Sequence, residues 1–302
     1  MRYLVRVTTS AGAAALALSA CGGGGAATGS PPSGNPTQVL TAAATSIQSA
    51  GTARGDMVVS ADISGLPGQG ATSFRATATG GFDVGRRLAS LDMDLGSMAG
   101  GRHIKIFADG TTVYVNTAGL GVSGTKPWIR MDASSASSGF TSLASSPFNG
   151  GQLLSKLTDV TVVGNETLHG AATTHYRGSL NMGTALSQLG GSAGDLGQLG
   201  QMGTAVQNAL AGTTVPFDVW IDGQDRLRRT VMTMDLAPLM RTLLSQFEPS
   251  SASTLPSDMK ALISIDFSLF DFGANLDLTP PPASEVGPPP PGFKLPGAGA
   301  SL

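Results

Sequence analysis

The residues able to do chemistry are few and scattered. The chain of 302 residues holds three histidines and one cysteine. His103, His169 and His175 sit in no recognised metal-ligand spacing; His169 falls in a turn sequence and His175 on a strand pattern, where structural roles outweigh metal or general-base work. Serine is abundant, yet no G-x-S-x-G elbow occurs, so a hydrolase of that kind is unsupported. Asp92 and Asp94 share a strand face opposite Leu91, Met93 and Leu95, the pattern of a wet face rather than of an acid/base pair. Gly119-Leu120-Gly121-Val122-Ser123-Gly124 fits a dinucleotide fingerprint, but Thr125-Lys126-Pro127-Trp128 opens no helix, so a glycine-rich hairpin loop is the better reading. Arg226, Arg228 and Arg229 are placed either to hold an anionic headgroup or to guard a strand end against edge pairing. No metal, cofactor or catalytic constellation is expected, and the chain is not expected to be an enzyme.

The N-terminus sets the compartment. Arg2 and Arg6 precede an apolar run, Ala11 to Leu18, far short of the roughly 20 residues of a spanning helix and typical of an export signal. Leu18-Ser19-Ala20-Cys21 resembles the lipobox of bacterial lipoproteins. That resemblance implies a diacylglyceryl thioether on Cys21, cleavage after residue 20, and a lipid anchor on the extracytoplasmic face of the cell membrane. An exported chain with a single cysteine makes no internal disulfide. Losing Arg2 and Arg6 takes the formal net charge from -2 to -4, which argues against nucleic acid as a partner.

The elements follow from the hydrophobic period. Residues 21–36 lack bulk and period and predict a flexible tether. Thr37 is placed as the N-cap of a helix carrying Val39, Leu40, Ala43, Ala44 and Ile47, ending at Gly51. From Ala53 the period becomes two. Strands are expected at 53–63, 71–84, 86–95, 102–108, 111–117 and 127–132, with Asp109-Gly110 as a tight hairpin turn, then a short helix at 147–157. Strands at 159–168 and 171–180 should meet at His169-Gly170. Residues 182–213 read as a glycine-weakened helical cover. Val215, Phe217, Val219 and Ile221 share one face of a strand that returns after Asp222-Gly223-Gln224-Asp225. Leu236, Leu239, Met240, Leu243, Leu244 and Phe247 form an amphipathic helix with Asp235 as cap. Strands near 259–269 and 271–278 close the domain, 37–279, before a Pro-rich tail, 280–302, expected to be disordered.

Several of these segments resemble the LppX/LprG-type envelope lipoproteins: Gly164-Asn165-Glu166-Thr167-Leu168-His169-Gly170, Thr173-Thr174-His175-Tyr176-Arg177-Gly178, Val215 to Asp222 and Arg226-Leu227-Arg228-Arg229, with Asp109 to Val115 and Trp128. The resemblance spans 37–278. It implies an α+β fold: a strongly curved antiparallel sheet, a half-barrel related to the LolA/LolB carriers, with helices over its concave face and an apolar cavity between. It also implies binding of a lipid or glycolipid, its movement across the envelope, and a transporter as partner. The segment 182–213, the helix at 236–247 and the proline tail exceed what a compact member of that family has.

Under that reading, the cavity would be lined by Met57, Val59, Leu91, Met93, Ile104, Ile106, Val113, Val115, Phe217, Val219, Ile221, Met232, Met234, Leu243 and Phe247. Methionine, leucine and small residues suit a flexible chain. The residues alone leave open that these faces interlock into a solid core. A second function, a protein-binding or sensor lipoprotein on the same fold with no resident lipid, also stays open.

Overall fold

Strand alternation and short turns produce one sheet. The computed structural model describes residues 34–65, 70–96, 101–118, 126–132, 152–188, 201–247 and 256–290. The strands are β1 (Thr52–Ser64), β2 (Thr72–Asp83), β3 (Leu88–Asp94), β4 (His103–Asp109), β5 (Thr112–Asn116), β6 (Trp128–Asp132), β7 (Thr158–Leu168), β8 (Ala171–Asn181), β9 (Thr214–Asp222), β10 (Leu227–Asp235), β11 (Lys260–Phe270) and β12 (Val286–Gly287). They join in the order β12-β6-β5-β4-β3-β2-β1-β11-β10-β9-β8-β7. All pairs are antiparallel except β12 with β6. The ends, β12 and β7, do not pair with each other, so the sheet is an open half-barrel of the α+β class, as the sequence led one to expect.

Two glycines make room for close packing on the concave face. Gly55 and Gly80 are direct partners on β1 and β2. A Cβ on Gly55 would lie 2.7 Å from the Phe82 ring, and one on Gly80 would lie 2.2 Å from the Ser90 carbonyl oxygen. Two bare positions side by side let Phe82, Leu269 and Leu91 fold over the concave surface where side chains would otherwise collide.

Four helices accompany the sheet among the described residues that carry element bounds: α1 (Pro36–Ser49), α2 (Met182–Gln188), α3 (Gln201–Ala211) and α4 (Ala237–Phe247). α1 packs on β10 and β7, burying Val39, Leu40, Ala43 and Ile47, each large aliphatic contributing about 1.5–3 kcal/mol. Its cap is Asn35, whose side chain accepts from the Thr37 backbone N–H at 3.0 Å, not Thr37 as expected; Pro36 occupies the first turn, where its missing N–H costs nothing. Asp235, expected as the cap of α4, lies one residue outside the cap position Leu236 and accepts from the Ala237 N–H at 2.9 Å.

Other expectations need correction. The two-residue turn after β4 is Gly110-Thr111, because Asp109 still pairs with Thr112; Gly110 supplies the positive φ of 57°. Residues 271–278 form no strand: after Phe270 the chain leaves the ladder as an irregular strap. The tail is ordered over 280–290, with a 3-10 turn at Ala283–Glu285 and β12 laid parallel on β6. Of the helix expected at 147–157, residues 152–157 are described, and only 152–154 are helical. The signal peptide, the tether up to residue 33, the glycine motif at 119–124 and residues 291–302 lie outside the described residues.

Candidate functional site

The concave face divides into two closed cores with an unclosed band between them. One core gathers Met57, Leu91, Met93, Ile104, Ile106, Val113 and Val115 with Phe82, Phe267 and Leu269; Phe82 and Phe267 meet edge to face at 6.1 Å. The other holds Phe217, Val219 and Ile221 with Leu227, Leu180, Tyr176 and the stripe of α1. These sequence-selected positions are packed by neighbouring side chains, so over them the sheet is filled rather than hollow.

Between the cores burial falls off along three adjacent strands. On β1, Ala53 and Met57 are buried while Val59, Ala61 and Ile63 are half-buried. On β11, Leu269 and Phe267 are buried while Ile265 and Ile263 are half-buried. On β10, Leu227 is buried while Met232 and Met234 are half-buried. Register makes them one surface: Val59 pairs with Ile265 and Ala61 with Ile263, Ile265 with Met232 and Ile263 with Met234. Of the expected lining, Val59, Met232 and Met234 belong to this band. Ala61 and Ile63 share the face of Met57 and Val59 on β1, and Ile263 and Ile265 that of Phe267 on β11, although the expected lining did not include them.

The band is sealed at one end and, among the described residues, open at the other. At the β9–β10 turn, Ile47, Ala53, Phe82, Leu227, Leu269 and Phe272 close around a void of only about 10 Å³. Asp222 anchors this plug: it accepts from the Gln224 and Arg226 backbone N–H groups, from Arg226 Nε at 2.9 Å and from Arg228 Nε at 2.6 Å. Both guanidinia lie 4.8 Å from the Phe272 ring centroid. Burial works to raise the Asp222 carboxyl, but the hydrogen bonds from Arg226, Arg228 and the backbone outweigh it and hold it below the ordinary value. At the opposite end sits α4. Ala237, Met259 and Ala261 seal its base, and Arg241 Nη2 donates towards the Pro256, Ser257 and Met259 carbonyls. Met240 packs on that base; beyond it Leu239, Leu243, Leu244 and Phe247 stay half-buried, and Leu243 and Phe247 stand apart from both cores. Away from the β9–β10 turn, register places no charged side chain on the concave face of β1–β6 and β8–β11 among the described residues.

Polar groups sit on the convex face. Buried His175 stacks on Trp220 at 4.1 Å, with Nε2 2.6 Å from Asp218 and Nδ1 3.2 Å from Glu166. Arg229 covers the other side of Trp220 at 4.9 Å and makes a two-point pair with Asp266; that pair lifts the guanidinium above its ordinary range. Asp218 also accepts from Arg177. The three arginines considered for a headgroup are thus each committed to a carboxylate. His169, at a turn with φ 47°, stacks on Phe270 at 4.2 Å. Asp92 lies 3.8 Å from Lys105 and from His103, and Asp94 accepts from Gly96 N–H. Among the described residues no group of three His, Cys, Asp or Glu could hold a metal ion, and no helix is long and apolar enough to cross a membrane. Cys21 lies outside them.

This architecture, an open half-barrel with an apolar concave face, defines the class of fold. No family model and no curated protein matches the chain. Among solved structures it is similar to LprF from Mycobacterium bovis, with 15% identity over 83% of this chain and 98% of that one and a TM-score of 0.44. It is similar to the lipoprotein LppX of Mycobacterium tuberculosis, with 14% identity over 81% and 98% and a TM-score of 0.46. A LolA-superfamily protein from Nitrosomonas europaea has 9% identity over 80% and 96% and a TM-score of 0.27. At such identities the likeness concerns the fold alone.

Proposed function

We propose that the chain is an envelope lipoprotein, anchored through acylated Cys21 on the extracytoplasmic face, that shelters the acyl part of a lipid or glycolipid on its concave band and carries it across the envelope without catalysing a reaction. One observation carries this reading: Val59, Ile63, Ile263, Ile265, Met232 and Met234 form a continuous, uncharged, half-open surface between two finished cores. A folded monomer gains about 25 cal/mol for each Å² of apolar area it removes from water, so such a band invites an apolar cover. An acyl chain laid there contributes about 0.8 kcal/mol per buried methylene. The chain would enter beside α4, since the plug blocks the other end, and its polar head would remain at that rim. A transporter would be the partner that loads or unloads it. The test is native mass spectrometry of the purified protein with solvent extraction of what it carries. A mass increment lost on denaturation and recovered as acylated lipid supports the reading; a protein free of lipid that takes up none from vesicles overturns it.

A further inference from the structure

The convex face carries a groove that lipid carriage does not use. After Phe270 the strap runs back across the outer side of the sheet: Leu278 is buried on Leu88 and Phe107, and Leu276 packs with them. Leu276 reaches the bare backbone of Gly81, where a Cβ would lie 3.0 Å from its Cδ1. Alongside the strap opens a groove of about 830 Å³, within the range of small-ligand sites. It extends from Phe270 on β11 to Trp128 on β6, six strand spacings or about 29 Å. The groove is therefore long for its volume, which suits an extended, linear ligand rather than a compact one.

The lining has matching chemistry. The four middle strands β1–β4 each offer a polar rung, Asp56, Thr79, Ser90 and Lys105, and the strap adds Asn275. Asp56, Thr79, Ser90 and Asn275 make no side-chain hydrogen bond with the described residues, so their donors and acceptors are available. Arg54 and Lys105 face Asp56, Asp92 and Asp277, a near balance that disfavours a polyanion. Aromatic residues, Phe270 and Trp128, line its two ends, and aromatic rings offer contact to the C–H side of a pyranose.

We propose that this groove binds a linear, uncharged oligosaccharide, free or as the glycan of a larger molecule. The full-length protein in a sugar-free detergent is titrated calorimetrically with cellohexaose, maltohexaose and chitohexaose, and with vesicles containing a hexosyl glycolipid. At least one free hexasaccharide should bind, and Ser90→Leu and Asp56→Ala should each weaken it at least tenfold while the unfolding midpoint stays put. Glycolipid binding weakened by the same variants identifies a lipid-linked glycan as an additional source. Absence of binding by all three hexasaccharides, binding indifferent to both variants, or glycolipid binding alone overturns the proposal. Failure here leaves the acyl site on the opposite face untouched, because the two use different residues and readouts.

Discussion

Asp222→Asn is the sharpest perturbation of the plug that closes one end of the band. Asp222 is buried and accepts from two guanidinia and two backbone N–H groups. Asparagine keeps an acceptor for the backbone but removes the charge. Arg226 is 28% exposed at its side chain and can turn towards water, so its loss should cost about 1 kcal/mol or less. Arg228 is only 9% exposed at its side chain and has nowhere to go; stranding one partner of a buried pair costs about 3–5 kcal/mol. The residual contact with Phe272 offsets part of this, leaving an expected loss of about 3 kcal/mol. The sign with pH follows from the depressed carboxyl. Its contribution is fully present above the unfolded value, about 3.9, and is lost as pH falls through the lower folded value. Urea unfolding followed by tryptophan fluorescence at pH 7 and at successive steps below pH 4 should therefore show the gap between wild type and variant shrinking with acid. A loss under about 1 kcal/mol at pH 7, or a gap that does not change with pH, would refute the role given to Asp222.

Three further outcomes are expected. Gly80→Ala forces a Cβ against the Ser90 carbonyl and should lower stability by about 1–3 kcal/mol or more, while Gly164→Ala, with open space around it, should be within about 0.5 kcal/mol of wild type; equal midpoints in thermal unfolding would contradict the close packing at Gly80. Arg241→Ala frees α4 from the loop before β11, and hydrogen exchange across residues 237–247 should quicken while β9 and β10 stay protected. Cys21→Ala should move the protein from the membrane to the soluble fraction, and retention would refute acylation as the anchor.

Much of the sheet was legible because alternation and turn chemistry are local. His169-Gly170 and the amphipathic run at 236–247 are written in neighbouring residues, and they appear as a positive-φ turn and α4. What alternation cannot tell is whether an apolar face is finished. Leu91, Ile104 and Val115 look the same in sequence as Ile263, Ile265 and Met232, yet the first group is sealed by residues from other strands and the second stays half-open. The strap misled for a related reason. Leu276 and Leu278 alternate as a strand would, but the period reflects one side of an extended segment resting on Leu88 and Phe107, with no ladder beside it. Proline content suggested disorder at 280–290, whereas prolines beside a two-residue strand can cap a sheet edge. The arginine cluster was readable as charge; its commitment to Asp222 and Asp266 required the fold.

The central claim, an acyl-binding band on the concave face, is tested most directly by the lipid-to-protein ratio of wild type and Ile265→Asp purified side by side from the same membranes. Ile265 sits between Val59 and Met232 in the ladder, so a carboxylate there places a charge at the middle of the band. Wild type should carry about one acylated lipid for each chain beyond the Cys21 anchor, and the variant should retain the fold by circular dichroism but lose that lipid. Equal lipid in both proteins, or none in either, would contradict the account.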